Sequence, residues 1–438
     1  MTVSPNILVL GASGLIGRFL TEDLRQRGFQ TIGAARKFAA GQKLSALDLE
    51  LPVMTMDVAA LAQLLRERTV DIVVNCLGVL QDGPGSDTSA VHRDFVERLL
   101  QAITKSGCAI RLIHVSIPGA AKDDKTAFST TKREAERLIA ASGVPYAILR
   151  PGFVIAPAAF GGSAMVRALA ALPFQLSKAD SNVPFQPIAV EDIAATVAWL
   201  AVRDLDEAAT NAVTWDLMQQ QPIALGEVIA SFRRAFGTSD WPRIPLPAFL
   251  LEFGVRLADL VGWLDWQSPM RSTAMIELRR GVTGDPSAWI GATGIVPVDL
   301  ERAGRAATVQ DKWFARLYLI KALILASLVV FWSLSGFIAL FVSYDAAAGI
   351  LSSHHFPPSL VAPITVLTSL MDISVGVLTA FRRTCAVGLI WGIVASLGYM
   401  AGAAILTPDL WIEPLGALVK TGPAIVLMLV ALAILDNR

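Results

Sequence analysis

The chain has 438 residues, 54% of them apolar and only 17% charged, with 37 basic side chains against 37 acidic ones. Its length suits two or three domains, and zero net charge without a Lys/Arg-rich run removes the electrostatic case for nucleic-acid binding. Cys76, Cys108 and Cys385 are dispersed and form no CxxC pair, which excludes a disulfide-stapled secreted scaffold.

The first apolar run, residues 7–10, is short and lacks a basic flank, so it reads as a strand rather than a leader. Residues 6–10 run as a strand into Gly11-Ala12-Ser13-Gly14-Leu15-Ile16-Gly17, and residues 18–25 follow as a helix. Glycines spaced GxxGxxG between strand and helix allow a tight turn and a close approach to a pyrophosphate, which the helix N-terminus attracts. Gly11, Ser13, Gly14, Leu15, Ile16 and Gly17 are therefore cofactor candidates. A second strand, residues 29–34, leads into Arg36, 19 positions past Gly17, with no acidic side chain before Asp48. An acid at that distance grips the ribose of NAD, whereas an Arg accommodates a 2′-phosphate. The expectation is NADP(H).

Residues 52–56 read as a third strand ending at Asp57-Val58, a place for adenine contact. Residues 71–77 form a fourth, running into Cys76, Leu77 and Gly78. Residues 110–115 form a fifth ending at Ser116, and residues 143–149 a sixth ending at Arg150-Pro151-Gly152. Helical patterns at 90–106 and 130–142 lie between them. This alternation predicts an α/β, doubly wound parallel Rossmann sheet. Residues 249–264 carry apolar side chains at helical spacing. They read as a helix over the substrate cleft, although Trp263 and Trp266 also suit a bilayer surface.

Charge then thins out. Residues 313–438 hold 6 Lys/Arg and 5 Asp/Glu in 126 positions, far below the density of the first 312. Four apolar stretches, residues 323–342, 360–380, 385–406 and 415–435, each suffice to cross a bilayer. Their only charges are Asp372 and Lys420. Lys312, Arg316 and Lys321 precede the first stretch, Arg382-Arg383 join the second to the third, and Arg438 closes the sequence. The joints at 343–359 and 407–414 contain no Lys or Arg. That pattern predicts an all-α four-span domain in the inner (cytoplasmic) membrane with both termini cytoplasmic. Asp372, mid-span, is either a packing residue or a functional one facing a partner. His354-His355 reads as loop, and no metal site is expected.

The front half resembles atypical or extended short-chain dehydrogenase/reductases, near the branch of the NADPH-binding accessory subunit of respiratory complex I and NmrA-like proteins. Gly11-Ala-Ser-Gly-Leu-Ile-Gly-Arg18, Asn75-Cys-Leu-Gly78, Arg150-Pro-Gly152 and Ile188-Ala-Val-Glu-Asp192 carry the resemblance. The back half resembles a DoxX-like module through Leu317-Tyr-Leu-Ile-Lys321 and Phe331-Trp-Ser-Leu-Ser-Gly336. Domains are expected at 1–310 and 311–438. The resemblance implies cofactor contacts from Asp57, Val58, Cys76, Leu77, Gly78, Lys132 and Pro151. It also implies a Ser and a Tyr-x-x-x-Lys for catalysis: Ser116 and Lys132 match, but the Tyr position is Phe128. Ser129, Thr130 and Thr131 are poor acids near neutral pH. Asp123 and Asp124 read as solvated, and His92, His114 and Tyr146 as structural. The function implied is a membrane-anchored NADP(H)-binding oxidoreductase with a quinone or lipophilic substrate. The alternative is a non-catalytic NADPH sensor, or a structural or assembly factor of a membrane redox complex.

Overall fold

Alternation along β1 (Asn6–Leu10) sets the layers of the front half. Ile7 and Val9 are buried in one hydrophobic cluster, and Leu8 and Leu10 in another on the opposite face of the sheet. The computed structural model describes residues 4–38, 42, 45–83, 86–159, 161–203, 210–266, 270–301, 308–412 and 417–435. Two units emerge, Met1–Asp259 with Pro269–Ala315, and Leu260–Ser268 with Arg316–Arg438.

In the first unit β1 leads through α1 (Leu15–Gln26) to β2 (Gln30–Ala35) and β3 (Leu49–Glu50). After α2 (Val58–Glu67) come β4 (Ile72–Asn75), α3 (Phe95–Ser106), β5 (Arg111–Val115), α4 (Ala127–Ala141) and β6 (Tyr146–Pro151). The chain continues through β7 (Phe153–Ile155), α5 (Gly161–Ala171), β8 (Phe174–Gln175), α6 (Lys178–Ser181), β9 (Pro184–Phe185) and β10 (Pro187–Ala189). It then forms α7 (Val190–Ala201) and β11 (Val213–Leu217). The main sheet has seven strands in the order β11-β6-β5-β4-β1-β2-β3, and every neighbouring pair is parallel. This is the Rossmann arrangement, with α1 and α7 over one face and α2, α3 and α4 over the other.

One expected strand is displaced. Residues 52–56 do not extend the sheet; pairing stops at Glu50, and Val53–Thr55 form a single 3-10 turn. Pro52 has no N–H for a ladder, and its carbonyl instead accepts the Thr55 amide at 2.9 Å. Asp57 follows as the N-cap of α2, accepting the Ala60 amide at 2.7 Å.

Among the described residues four helices are long and apolar enough to span a membrane: Val309–Val342, which begins in the first unit, and Pro358–Ala380, Cys385–Leu406 and Leu418–Leu435 in the second. Small residues mark where their backbones approach. A Cβ on Gly336 would lie 2.3 Å from the Ser369 carbonyl oxygen, and one on Gly388 would lie 2.6 Å from the Thr379 amide nitrogen. Asp372 is not isolated. It accepts from the Tyr399 hydroxyl at 2.7 Å and from the Ser335 hydroxyl at 3.2 Å, so its carboxyl is satisfied inside the bundle. Arg438 lies outside the described residues.

Candidate cofactor site

Parallel strands open their C-terminal ends on one edge, and the strand order reverses between β1 and β4, where such folds bind ligands. The turn after β1 is built for close approach. Gly11 takes a φ of +83°, a conformation that suits glycine. Gly14 donates its amide to the Gly11 carbonyl at 2.9 Å and is the N-cap of α1. Gly17 is buried, and a Cβ there would meet the Gly11 oxygen at 2.3 Å. Ser13 is exposed, and Leu15 and Ile16 are half-buried. Among the described residues no side chain caps α1, so its first amides are open to an anion.

Arg36 follows β2 directly and is exposed, with no ion pair among the described residues. Asp48, the nearest acid, has no capacity to spare. It takes two contacts from Arg25, at 2.5 and 3.2 Å, and accepts the amides of Gly33 at 3.0 Å and Ser45 at 2.8 Å. Burial pushes its carboxyl up, but Arg25 and these amides outweigh that and hold it below the usual carboxylate value.

Past β4, Cys76 and Leu77 are half-buried and Gly78 is exposed. Burial raises the Cys76 thiol to about 12, so it is not a nucleophile near neutral pH. Lys132, on α4, is buried and donates to the carbonyls of Val115 at 2.8 Å and Leu77 at 3.2 Å. Its Nζ would be 3.5 Å from a Cβ on Gly78. Burial lowers the ammonium to about 8. Ser116 is buried at the end of β5, and Pro151 at the end of β6. Lys132, Gly78, Cys76 and Leu77 thus converge, while Asp57 serves α2 and Val58 begins that helix.

Phe128 carries no proton to exchange. Its ring meets His92 edge-on at 5.6 Å. His92 accepts the Val79 amide at Nε2 (3.1 Å), and its Nδ1 lies 2.8 Å from the Thr131 hydroxyl. Thr131 in turn donates to the Ala127 carbonyl at 2.7 Å. Burial, reinforced by the Lys132 charge, lowers His92 to about 3, so it stays neutral and cannot replace the missing phenol as an acid. His114 is buried too, its Nδ1 3.2 Å from the Asn75 amide nitrogen.

A charge network beside Ser116 was hidden in the sequence. Asp124 is not solvated: its side chain is 5% exposed, 3.1 Å from Arg133 and 3.2 Å from Arg280. Asp123, by contrast, is exposed as expected. Glu136 takes Arg133 at 3.1 Å and Arg150 at 2.6 and 2.9 Å. Arg133 also donates to the carbonyls of Pro118 (2.9 Å) and Gly119 (2.5 Å), pinning the loop after Ser116. Burial pushes the Glu136 carboxyl up, but the hydrogen bonds from Arg150 and the charges of Arg150 and Arg133 hold it below its usual value. The spacing of Arg133 and Glu136 was visible in the sequence; their partners were not.

Residues 11–198 match the NAD(P)H-binding family model, and residues 329–429 match the DoxX-like family model. The chain thus carries an NAD(P)-binding Rossmann domain followed by a C-terminal DoxX-like domain with apolar helices long enough to span a membrane. Over 114 residues it is 28% identical to dTDP-6-deoxy-L-talose 4-dehydrogenase (NAD(P)(+)) of Kitasatospora kifunensis. That match covers 26% of this chain and 36% of the enzyme, so the chain spans about a third of that relative. In fold it is similar to the enzyme WbmH of Bordetella bronchiseptica, solved with NAD+, at 17% identity and a TM-score of 0.51. That likeness covers 69% of this chain and 97% of the other. It is also similar to UDP-glucuronic acid 4-epimerase of Bacillus cereus, solved with UDP-glucuronic acid and NAD, at 14% identity and a TM-score of 0.52. Here 72% of this chain and 99% of the other are covered.

Glu136→Gln should cost about 3 kcal/mol of stability, because it leaves two guanidinium groups short of charge in a largely buried setting. The folded-state carboxyl lies below its ordinary value of 4.5, so its contribution is complete above that pH and is lost as pH falls below it. Thermal melts in mild detergent across pH 3–7 should show a lower Tm for the variant at neutral pH, converging with the parent in acid. Parallel curves would refute the assignment.

Proposed function

We propose that this protein is a membrane-tethered NADP(H)-binding protein that has lost phenol-dependent hydride chemistry. The observation that carries the reading is Phe128 at the acid/base position while Lys132 keeps its place. Two of the three ammonium protons of Lys132 are committed to Leu77 and Val115, which leaves one for a ribose hydroxyl beside Gly78. The open amides of α1 suit the pyrophosphate, with Asp57, Val58 and Pro151 as further contacts. When bound, the nicotinamide supplies the hydride. Lys132→Met should weaken nucleotide binding. Phe128→Tyr should raise reduction of simple carbonyls toward the 10²–10⁴-fold that general acid catalysis is typically worth. Rapid ketone reduction by the parent protein would sink this reading.

Two roles suit such a site. In the first, hydride passes to a lipophilic acceptor such as a quinone, and the resulting hydroquinone anion takes its proton from water, so no phenol is needed. The four membrane spans favour this role. In the second, the nucleotide is held without turnover as a sensory or structural ligand, or in assembly of a membrane redox complex. Quinone-dependent loss of NADPH absorbance separates them.

NADP(H) is preferred to NAD(H). Arg36 is exposed where a 2′-phosphate would lie, and Asp48 is saturated by protein donors. A guanidinium–phosphate contact is charge-assisted and can be bidentate. Arg36→Asp should therefore weaken NADPH binding far more than NADH binding, as read by titration of the purified protein. Equal losses would overturn the preference.

The membrane is proposed to be the inner one, with both termini cytoplasmic. Arg382 and Arg383 join the second and third spans, and the positive-inside rule puts such joints in the cytoplasm. A reporter fused after Arg383 should read cytoplasmic and one after Ser353 periplasmic. The reverse result would invert the topology.

A further inference from the structure

Helix α9 (Ala248–Gly262) follows α8 (Leu225–Phe236) and presents an apolar face that the protein leaves uncovered. Phe249 is 69% exposed, Leu250 48%, Phe253 64%, Leu257 46% and Leu260 65%. At 3.6 residues per turn these five fall within roughly 100° of one another. Leu251 and Ala258, on the opposite side, are buried. Trp263, just past the helix, is 82% exposed. A continuous stripe of this kind marks an interaction surface rather than scattered exposure.

The residues that follow α9 are held by the membrane helices. The Trp266 indole donates to the carbonyl of Ala380 at 2.7 Å, and Ala380 is the last residue of the second span. The Arg382 amide donates to the Leu264 carbonyl at 3.1 Å, and Arg383 pairs with Asp265 at 2.8 Å. The Arg382 guanidinium lies over the Trp266 ring, 5.5 Å from its centre. The chain leaving α9 is therefore fastened to the joint between two spans, at the level where helices leave the bilayer. Leu260 is six positions before Trp266.

We propose that α9 lies in the plane of the membrane surface, its apolar face sunk among the headgroups and upper acyl chains of the leaflet that carries Arg382 and Arg383. Such helices bury their apolar face about 5–10 Å into that boundary. Exposed Arg256 sits at the edge of the stripe, close to Phe249 around the helix, where it can meet anionic lipid. Exposed Glu252 lies farther off that same edge, about 60° from Phe249 around the helix and toward water. The occupant is the bilayer, because the same chain fastens the helix end to its surface. The inference rests on the membrane spans and is independent of the cofactor chemistry.

The test uses the full-length protein in phosphatidylcholine/phosphatidylglycerol vesicles. Phe253→Cys, Leu260→Cys and Glu252→Cys are each labelled with an environment-sensitive fluorophore, and the labelling of the parent, with its three free cysteines, is subtracted. Labels at 253 and 260 should be blue-shifted and lose intensity when the lipids carry a nitroxide high on the acyl chain. The label at 252 should emit as in water. Water-like emission at 253 and 260 would overturn the proposal. So would a blue shift that nitroxide lipids leave unquenched, because protein rather than lipid would then cover the face.

Discussion

Gly17 occupies a place where a single methyl group would meet the carbonyl oxygen of Gly11 at 2.3 Å. The absence of that methyl lets α1 start directly against the end of β1. The helix axis and its uncapped amides then point along the sheet edge where the other strands also end. Any residue with a Cβ would push the helix away by the width of the clash, and close-packed interiors have no slack to absorb that. The arrangement of Cys76, Leu77, Gly78 and Lys132 about this edge depends on β4 lying beside β1, and so on the same close contact.

Burial of charge governs the other side of the site. Lys132 is desolvated enough to bring its ammonium down to about 8, yet its hydrogen bonds to two carbonyls hold it in one position. Arg133, one residue on, points into a second set of charges, where Asp124, Glu136, Arg150 and Arg280 neutralise one another. Adjacent helix positions face about 100° apart. One helix can therefore send one side chain to the ends of β4 and β5 and brace the loop after Ser116 with the next. Phe128 belongs to this economy: its ring meets edge-on a neutral His92 whose two ring nitrogens are both hydrogen-bonded.

In the membrane unit the solvent is apolar, so cohesion comes from close backbone approach and internal hydrogen bonds rather than from burial. Gly336 and Gly388 supply the first, and Tyr399 with Ser335 on Asp372 supplies the second. A mid-span carboxyl satisfied by two hydroxyls is compatible with a purely structural part.

The parallel sheet, the glycine turn and the four spans were legible in the sequence, because each rests on local periodicity. Strands alternate every two residues, spans need about twenty apolar ones, and a strand–glycine–helix pattern is confined to a short stretch. The place of Arg36 directly after β2, 19 positions past Gly17, is local in the same way. The end of β3 was misplaced: apolar residues 52–56 resemble a strand, and only Pro52 hints that no ladder forms. The network of Asp124 with Arg133 and Arg280 could not be read, since its members lie up to 156 positions apart. Nor could the uncovered face of α9, because helical spacing marks an apolar stripe without saying what covers it. Those features are decided by which elements the fold brings together, since ion pairing and burial act between distant parts of a chain.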